Sequence, residues 1–475
     1  MTRYVVGIDN GSQSSKVTIF DEHGRSCAEG RVPLPPNHMP RPGVVEYPGD
    51  VLWESIVEAC RLALEDFPHD PRDIVGIGLC TIRFCRAVLR EDGSLAQPIQ
   101  SWMDERVGRP YEAETEDAAY VTTSSGYISH RMTGEFRDAA ANYQGMWPID
   151  TASWAWSTEE TDYRRTGIPR DMLLEIVQPG EELGLLTAEA AAATGLPEGT
   201  PVIATANDKA VEALGAGLQD PDALLVSLGT YIAGMAVGRS EVEAPESFWT
   251  NFGSEPGTYL YESGGIRRGM WTVSWFRDLL SDGGAHEAER RGESVEEMLG
   301  REALDVPVGS DGLLTILDWL APAEQPTRKG TFLGFDGRHG RGHMFRSILE
   351  GIAMTLKDNA DAMAAELDTE FDHVVVTGGG AASDLLTQIL ADAFGLECVR
   401  LEGGSSAGRG AAICAAVGVG LAPSFRDAVG RFAVISDRTE PNRENTEFYR
   451  SLGAIHRDVR DRTDPIYRRL SELVG

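Results

Sequence analysis

The sequence predicts an α/β protein of two related domains. Three observations predict it. A short β-type run ending in a small, polar turn and followed by a second strand occurs near the start, at Tyr4–Phe20, and again in the second half, at Ala223–Val237. Strand-like segments otherwise alternate with helix-like ones along the whole chain. And 475 residues supply material for two or three cores.

Taken in order, Tyr4–Asp9 is a short β-type run that ends in a carboxylate. Residues 10–16 are small, polar and turn-forming, and 17–20 alternate again as a strand. This strand–loop–strand is not a Walker P-loop, which needs GxxxxGK[ST] before a helix. Val51–Leu64 is amphipathic in the helical sense, and Ile74–Leu79 and Ala87–Leu89 read as strands. Pro201–Asp208 is an apolar strand running into an acid, with helix-like Ala210–Leu214 after it. Gly215–Pro221 is a natural boundary, which divides the chain into residues 1–219 and 220–475. Met344, Ile348, Ile352, Leu356 and Ala360 recur every four positions and mark a long buried helix face. His373–Thr377 is a buried strand entering Gly378–Gly380, and Ser383 fits the N-cap of a helix bearing Leu386, Ile389, Leu390 and Phe394.

Composition narrows the function. There are 43 basic and 74 acidic residues, a net charge of −31, so nucleic acid and anionic membranes are repelled. Four lysines among those basic residues (Lys16, Lys209, Lys329, Lys357) leave arginine dominant, which fits either a salt-rich cytoplasm or an Arg-favouring genome. No run of about 18 apolar residues predicts a membrane span, and the N-terminus does not read as a signal peptide. Six scattered cysteines without a CxxC pair suggest neither a zinc site nor a disulfide framework, and fit a cytoplasmic location.

The chemistry lies in the turns. Glycines and small hydroxyl residues let backbone N–H groups approach a phosphate, or they simply make a tight hairpin; two such loops and a third Gly-rich turn at 378–380 favour a nucleotide. Asp9, at a strand end beside such a loop, suits Mg²⁺ held against phosphates, or an Asx-turn. Asp208 suits a base that removes the proton of a sugar hydroxyl, and a helix N-cap as well.

These residues carry a resemblance. Gly7–Lys16, Ala206–Asp208, Ser227–Thr230, Gly330–Gly334 with His343–Glu350, Thr377–Gly380 with Gln388–Asp392, and Ala407–Ala412 resemble, in order and nearly over the full length, the motifs of the FGGY carbohydrate kinases. Ala407–Ala412 resembles the start of that family's last helix. The resemblance implies two actin-like, ribonuclease-H-like ATPase domains with an interdomain active site. Within them the N-terminal domain binds the sugar and carries the catalytic Asp, and the C-terminal domain carries most of the ATP site. It implies Asp208 as general base and Asp9 at the metal. Gly11, Ser12, Ser14, Lys16, Gly229 and Thr230 would surround the phosphates, and Gly379, Gly380 and Ala381 the adenine. ATP and Mg²⁺ are the implied cofactors, and a homodimer is common in the family.

For the substrate, Arg83 occupies the His or Arg position of the family's pocket motif, while Phe84 stands where the glycerol-type pattern has Glu. Trp102 and Asp104 match a W-x-D-x-R pattern, Trp102 to pack on a carbon backbone and Asp104 to bind or brace. The expectation is phosphorylation of a terminal hydroxyl of a ketopentose, xylulose or ribulose. A tetritol or glycerol-like polyol comes next. A non-catalytic sugar-binding protein and a chaperone-like ATPase of the same superfold are the rivals of another class.

Overall fold

The computed structural model describes residues 2–322 and 325–474. Its first sheet is built from β1 (Tyr4–Asn10), β2 (Ser14–Asp21), β3 (Ser26–Pro33), β4 (Ile74–Thr81), β5 (Glu182–Leu185) and β6 (Pro201–Ala204), in the order β5-β6-β4-β1-β2-β3. The second contains β7 (Ala223–Leu228), β8 (Ile232–Gly238), β9 (Phe248–Phe252), β10 (Tyr259–Ser263), β11 (His373–Thr377), β12 (Glu397–Leu401) and β13 (Ile435–Thr439), in the order β9-β10-β8-β7-β11-β12-β13. In each sheet a leading hairpin (β1–β2, β7–β8) is antiparallel, and its first strand pairs parallel with a later one, β4 or β11. Both sheets then continue parallel by one strand and close on an antiparallel edge. One plan is therefore used twice, with β9 added at one edge of the second copy.

Strand β1 shows why its sequence reads as a continuous apolar run rather than an alternating one: both faces are covered. Val6 and Ile8 point into a cluster with Ile56 and Cys60 of helix α1 (Val51–Glu65). Val5, on the other face, packs with Ala412 to Ala416. Those alanines belong to a helix far along the chain.

Six more helices matter to the site: α2 (Asp208–Gly215), α3 (Arg341–Leu367), α4 (Asp384–Phe394), α5 (Ser406–Gly418), α6 (Phe425–Phe432) and, at the end, α7 (Arg443–Val474). Helix α3 carries the expected buried face, with Ile348, Ile352, Leu356 and Ala360 all buried and Met344 only partly so. Ser383 caps α4, its hydroxyl accepting from Leu386 N. The helix at 406–418 is not the last, as the motif suggested, because α6 and α7 follow it.

Helix α5 crosses back to the first sheet, where its small residues let backbone meet backbone. A Cβ on Gly7 would sit 1.8 Å from Gly408 O, and one on Gly215 of α2 would sit 1.8 Å from Ser406 O. The glycines are required by that approach, which interlocks α5 with β1 and α2. Cys60 and Cys414 are fully buried as small hydrophobes, and all six cysteines are free thiols. Among the described residues no helix is long and apolar enough to cross a membrane.

Candidate active site

Helix α2 places the central carboxylate. Asn207, not Asp208, is its N-cap, accepting from Ala210 N at 3.1 Å; Asp208 is the first helical residue. The capping role read from the sequence thus moves by one residue, because the Asn207 side chain satisfies the free Ala210 N–H and leaves the Asp208 side chain out of the cap. That side chain is part-buried, and its one hydrogen bond among the described residues is from Lys209 N, at 3.0 Å. Burial raises its pKa, against the pull of Arg83 and Lys209.

Two cations flank Asp208, and each is held by another carboxylate. Lys209 Nζ lies 2.8 Å from Glu212 Oε2. Arg83, just past β4, donates from Nη1 and Nη2 to Glu262 of β10 at 2.8 and 3.1 Å, and its Nε stands 3.7 Å from Asp208 Oδ1. Glu212 also accepts from Ser227 Oγ (2.6 Å) at the end of β7 and from Thr377 Oγ1 (3.1 Å) at the end of β11. Burial alone would raise the pKa of Glu212, but Lys209 and these hydroxyls hold it down. The helix bearing Asp208 is thereby tied to the strands that enter both loops of the second sheet.

Asp9 faces Lys16 across the first hairpin, and its Oδ2 accepts from Ser405 Oγ at 3.1 Å. Burial pushes its pKa up to about 6; Lys16 and Ser405 oppose this, and Asp208 and Glu212 add repulsion. Gly11 and exposed Ser12 form the turn, closed by Gly11 N donating to Ser14 O at 3.1 Å; Ser14 itself is buried in β2. In the second hairpin, the carbonyls of Gly229 and Thr230 accept from Met270 N and Gly269 N, and Thr230 is exposed. Gly379, Gly380 and Ala381 lie in one turn of 3₁₀ helix after β11, which Arg400 steadies by donating to Ala381 O at 3.1 Å.

On the sugar side the predicted residues separate. Trp102 is half-exposed and lines a cavity of about 210 Å³ with Phe84, Met146 and Trp147. Asp104 is buried and takes four hydrogen bonds, from Val45 N, Arg106 N, Arg106 Nε and Arg106 Nη2, at 2.7–2.9 Å. A carboxylate so saturated braces the 101–106 loop and has no lone pair to offer a ligand. Of the two roles open to Asp104 in the sequence, these contacts fit the second.

Glu262, Trp249, Glu212 and the contact of Ser405 with Asp9 are not among the sequence expectations. Glu262 alone carried a local signal, an acid in a strand otherwise buried and mainly apolar. Ser405 could be found only from its contact with Asp9, 396 residues away.

Comparison with known proteins gives a consistent picture. The model for the N-terminal domain of the FGGY family of carbohydrate kinases matches residues 4–112 and 108–215, and that for the C-terminal domain matches 224–419. The chain is 45% identical, over 99% of its length and 96% of the relative's, to the Escherichia coli (strain K12) protein called uncharacterized sugar kinase YgcE. It is 26% identical to a xylulose kinase of Bacillus subtilis (strain 168), with 96% of each chain covered. The structure of a ligand-bound xylulose kinase from Lactobacillus acidophilus superimposes with a TM-score of 0.85 at 20% identity, over 98% of this chain and 100% of that one.

Proposed function

The chain belongs to the FGGY family of carbohydrate kinases, and from that premise we propose that it transfers the γ-phosphoryl group of ATP to a terminal hydroxyl of a ketopentose, xylulose or ribulose, with Asp208 as the general base. The observation that carries this reading is the position of Asp208. It stands at the start of a helix anchored to both loops of the second sheet, with its carboxylate in the cleft beside Arg83 and few bonds of its own. A sugar hydroxyl is a poor nucleophile, and an ionised carboxylate within hydrogen-bond reach takes its proton as the new P–O bond forms.

Residues 1–219 would hold the sugar, and 220–475 most of the nucleotide, although α5 from the second part completes the core of the first. Backbone N–H groups of Ser12, Gly229 and Thr230, with Lys16, would receive the phosphates beside Gly11, whose own N–H closes the turn on Ser14 O, and the Gly379–Ala381 turn would receive the adenine. Asp9 would hold Mg²⁺, an ion that takes oxygen donors and needs few from protein. Among the described residues there is no cluster of three metal-ligating side chains, so phosphate and water would complete the shell. When bound, the ion neutralises charge on the phosphates. Closure of the two parts would exclude water, the competing acceptor.

Two features favour a neutral sugar over a sugar acid. Arg83 and Lys209 are both engaged by carboxylates, and the surfaces beside Arg83 are aromatic, with Phe84 and Trp249 against it and Trp102 sharing a cavity with Phe84. The xylulose kinase relative supports the pentulose choice. The test is sugar-dependent ADP release from Mg-ATP across pentuloses, tetritols, hexuloses and glycerol, with Asp208→Asn in parallel. Turnover strongest on a pentulose and reduced about 10²–10⁴-fold in the variant is expected. A variant as active as the parent would remove Asp208 as base; a different preferred sugar would replace the substrate and leave the base.

A further inference from the structure

We propose that Glu262 is a positioning residue for phosphoryl transfer: from the second sheet it grips the Arg83 guanidinium across the cleft and holds it off Asp208, so that the base keeps its lone pairs for the sugar hydroxyl. The proposal rests on the reading of Asp208 as base.

The geometry is specific. Glu262 is fully buried and accepts from both terminal nitrogens of Arg83, at 2.8 and 3.1 Å. A bidentate pair fixes the plane of a guanidinium as well as its place. The remaining N–H side, Nε, is left 3.7 Å from Asp208 Oδ1, beyond hydrogen-bond distance. Trp249 is directly opposite Glu262 in the β9–β10 ladder, so the two side chains share a face. Its ring lies 4.6 Å from the Arg83 guanidinium carbon. From the first part of the chain Phe84 stacks on Trp249, at a left-handed φ of 61°. Such a backbone angle in an aromatic residue persists only where its surroundings hold it. Three groups, two from the second sheet and one from the turn after β4, therefore set one guanidinium.

The same device appears on the other flank of Asp208, where Glu212 holds Lys209. Without its partner, each cation would find Asp208 the nearest remaining carboxylate. Arg83 would then close on Asp208 and occupy the oxygens that the hydroxyl needs. A pair that merely stapled the lobes would instead lower stability when broken, and neutralising both partners would restore nothing in catalysis.

The experiment is a double-mutant cycle, read as kcat and sugar KM from ADP release, with Asp208→Asn alongside and thermal unfolding as the check on folding. Glu262→Gln is expected to lower kcat about tenfold or more, with the sugar KM changed by about threefold at most. Adding Arg83→Gln should return most of that kcat, because no cation is left to close on Asp208, while the sugar KM rises. A double variant no better than Glu262→Gln would overturn the proposal. If Glu262→Gln unfolds below assay temperature, Glu262→Asp enters the same cycle. A kcat equal to the parent's, or a loss that Arg83→Gln does not reverse, would overturn it again. An inactive Asp208→Asn beside an unrescued double variant removes Glu262 alone; an active Asp208→Asn removes the base reading and this inference together.

Discussion

The two leading hairpins are the same structure used for different ends. β1–β2 and β7–β8 have the same topology, the same kind of parallel neighbour and short turns at 11–13 and 229–231. The first is dressed with charged side chains: Asp9, Lys16 across from it, and Arg83 at the end of the neighbouring strand. The second offers mainly backbone, at Gly229–Thr230 and at the Gly378–Ala381 turn that ends its parallel neighbour. A side chain can be re-aimed by its partners, as Ser405 does for Asp9 and Glu262 for Arg83. A backbone cradle depends on space and on φ angles. Substitutions should therefore act in different ways on the two.

The largest effect should come where backbones interlock. Gly7→Ala drives a methyl into Gly408 O, and about 3 kcal/mol of stability should be lost in urea unfolding. Gly379→Ala, with open space around the new methyl, should leave the unfolding midpoint unchanged; equal losses from the two would dissolve the contrast. Next is Gly378→Ala. The residue sits at φ +85° with Leu228 O 2.6 Å from any Cβ, so the turn must shift. The ATP KM should rise about tenfold while the sugar KM holds, which would separate the cradle from the sugar side.

Ser405→Ala is smaller and pH-dependent. Asp9 loses a bond that favours its charged form, so its pKa should climb further above about 6. Activity should fall more at pH 6 than at pH 8, by about fivefold, the worth of one hydrogen bond. Equal loss at both pH values would deny Asp9 an ionised role. The smallest effect lies outside the cleft. Burial holds His456 of α7 down at about 4 against 6.5 unfolded, its ring against Thr315 O. The unfolded chain takes that proton first, so this contribution to stability is full above pH 6.5 and is lost as pH falls toward 4. His456→Gln should flatten the decline of the melting temperature between pH 7 and 5.

How much of this the sequence held depends on the range of the interaction. The hairpins, the strand into Asp208, the long face of α3 and the Ser383 cap were all legible, because period-2 and period-3.6 apolar spacing, turn residues and caps act over a few positions. The family motifs are likewise runs of neighbours. One-residue precision is beyond local pattern, since Asn207 and Asp208 are both good caps and only the backbone at Asn207, extended where the helix begins, distinguishes them.

What the tertiary structure alone decided is who meets whom. Arg83 and Glu262 are 179 residues apart, and no periodicity links them; the second sheet had to bring β10 to the cleft. Asp104 could bind or brace on sequence grounds, and only the fold brings Val45 N to its oxygens beside Arg106, the contacts of a brace. The glycines of α5 looked like a helix start, and became an interlock only against Gly7 and Gly215. Local patterns set the elements because they are fixed by neighbours in the chain. Partners across the cleft are set by packing, which the whole fold must complete before any one pair exists.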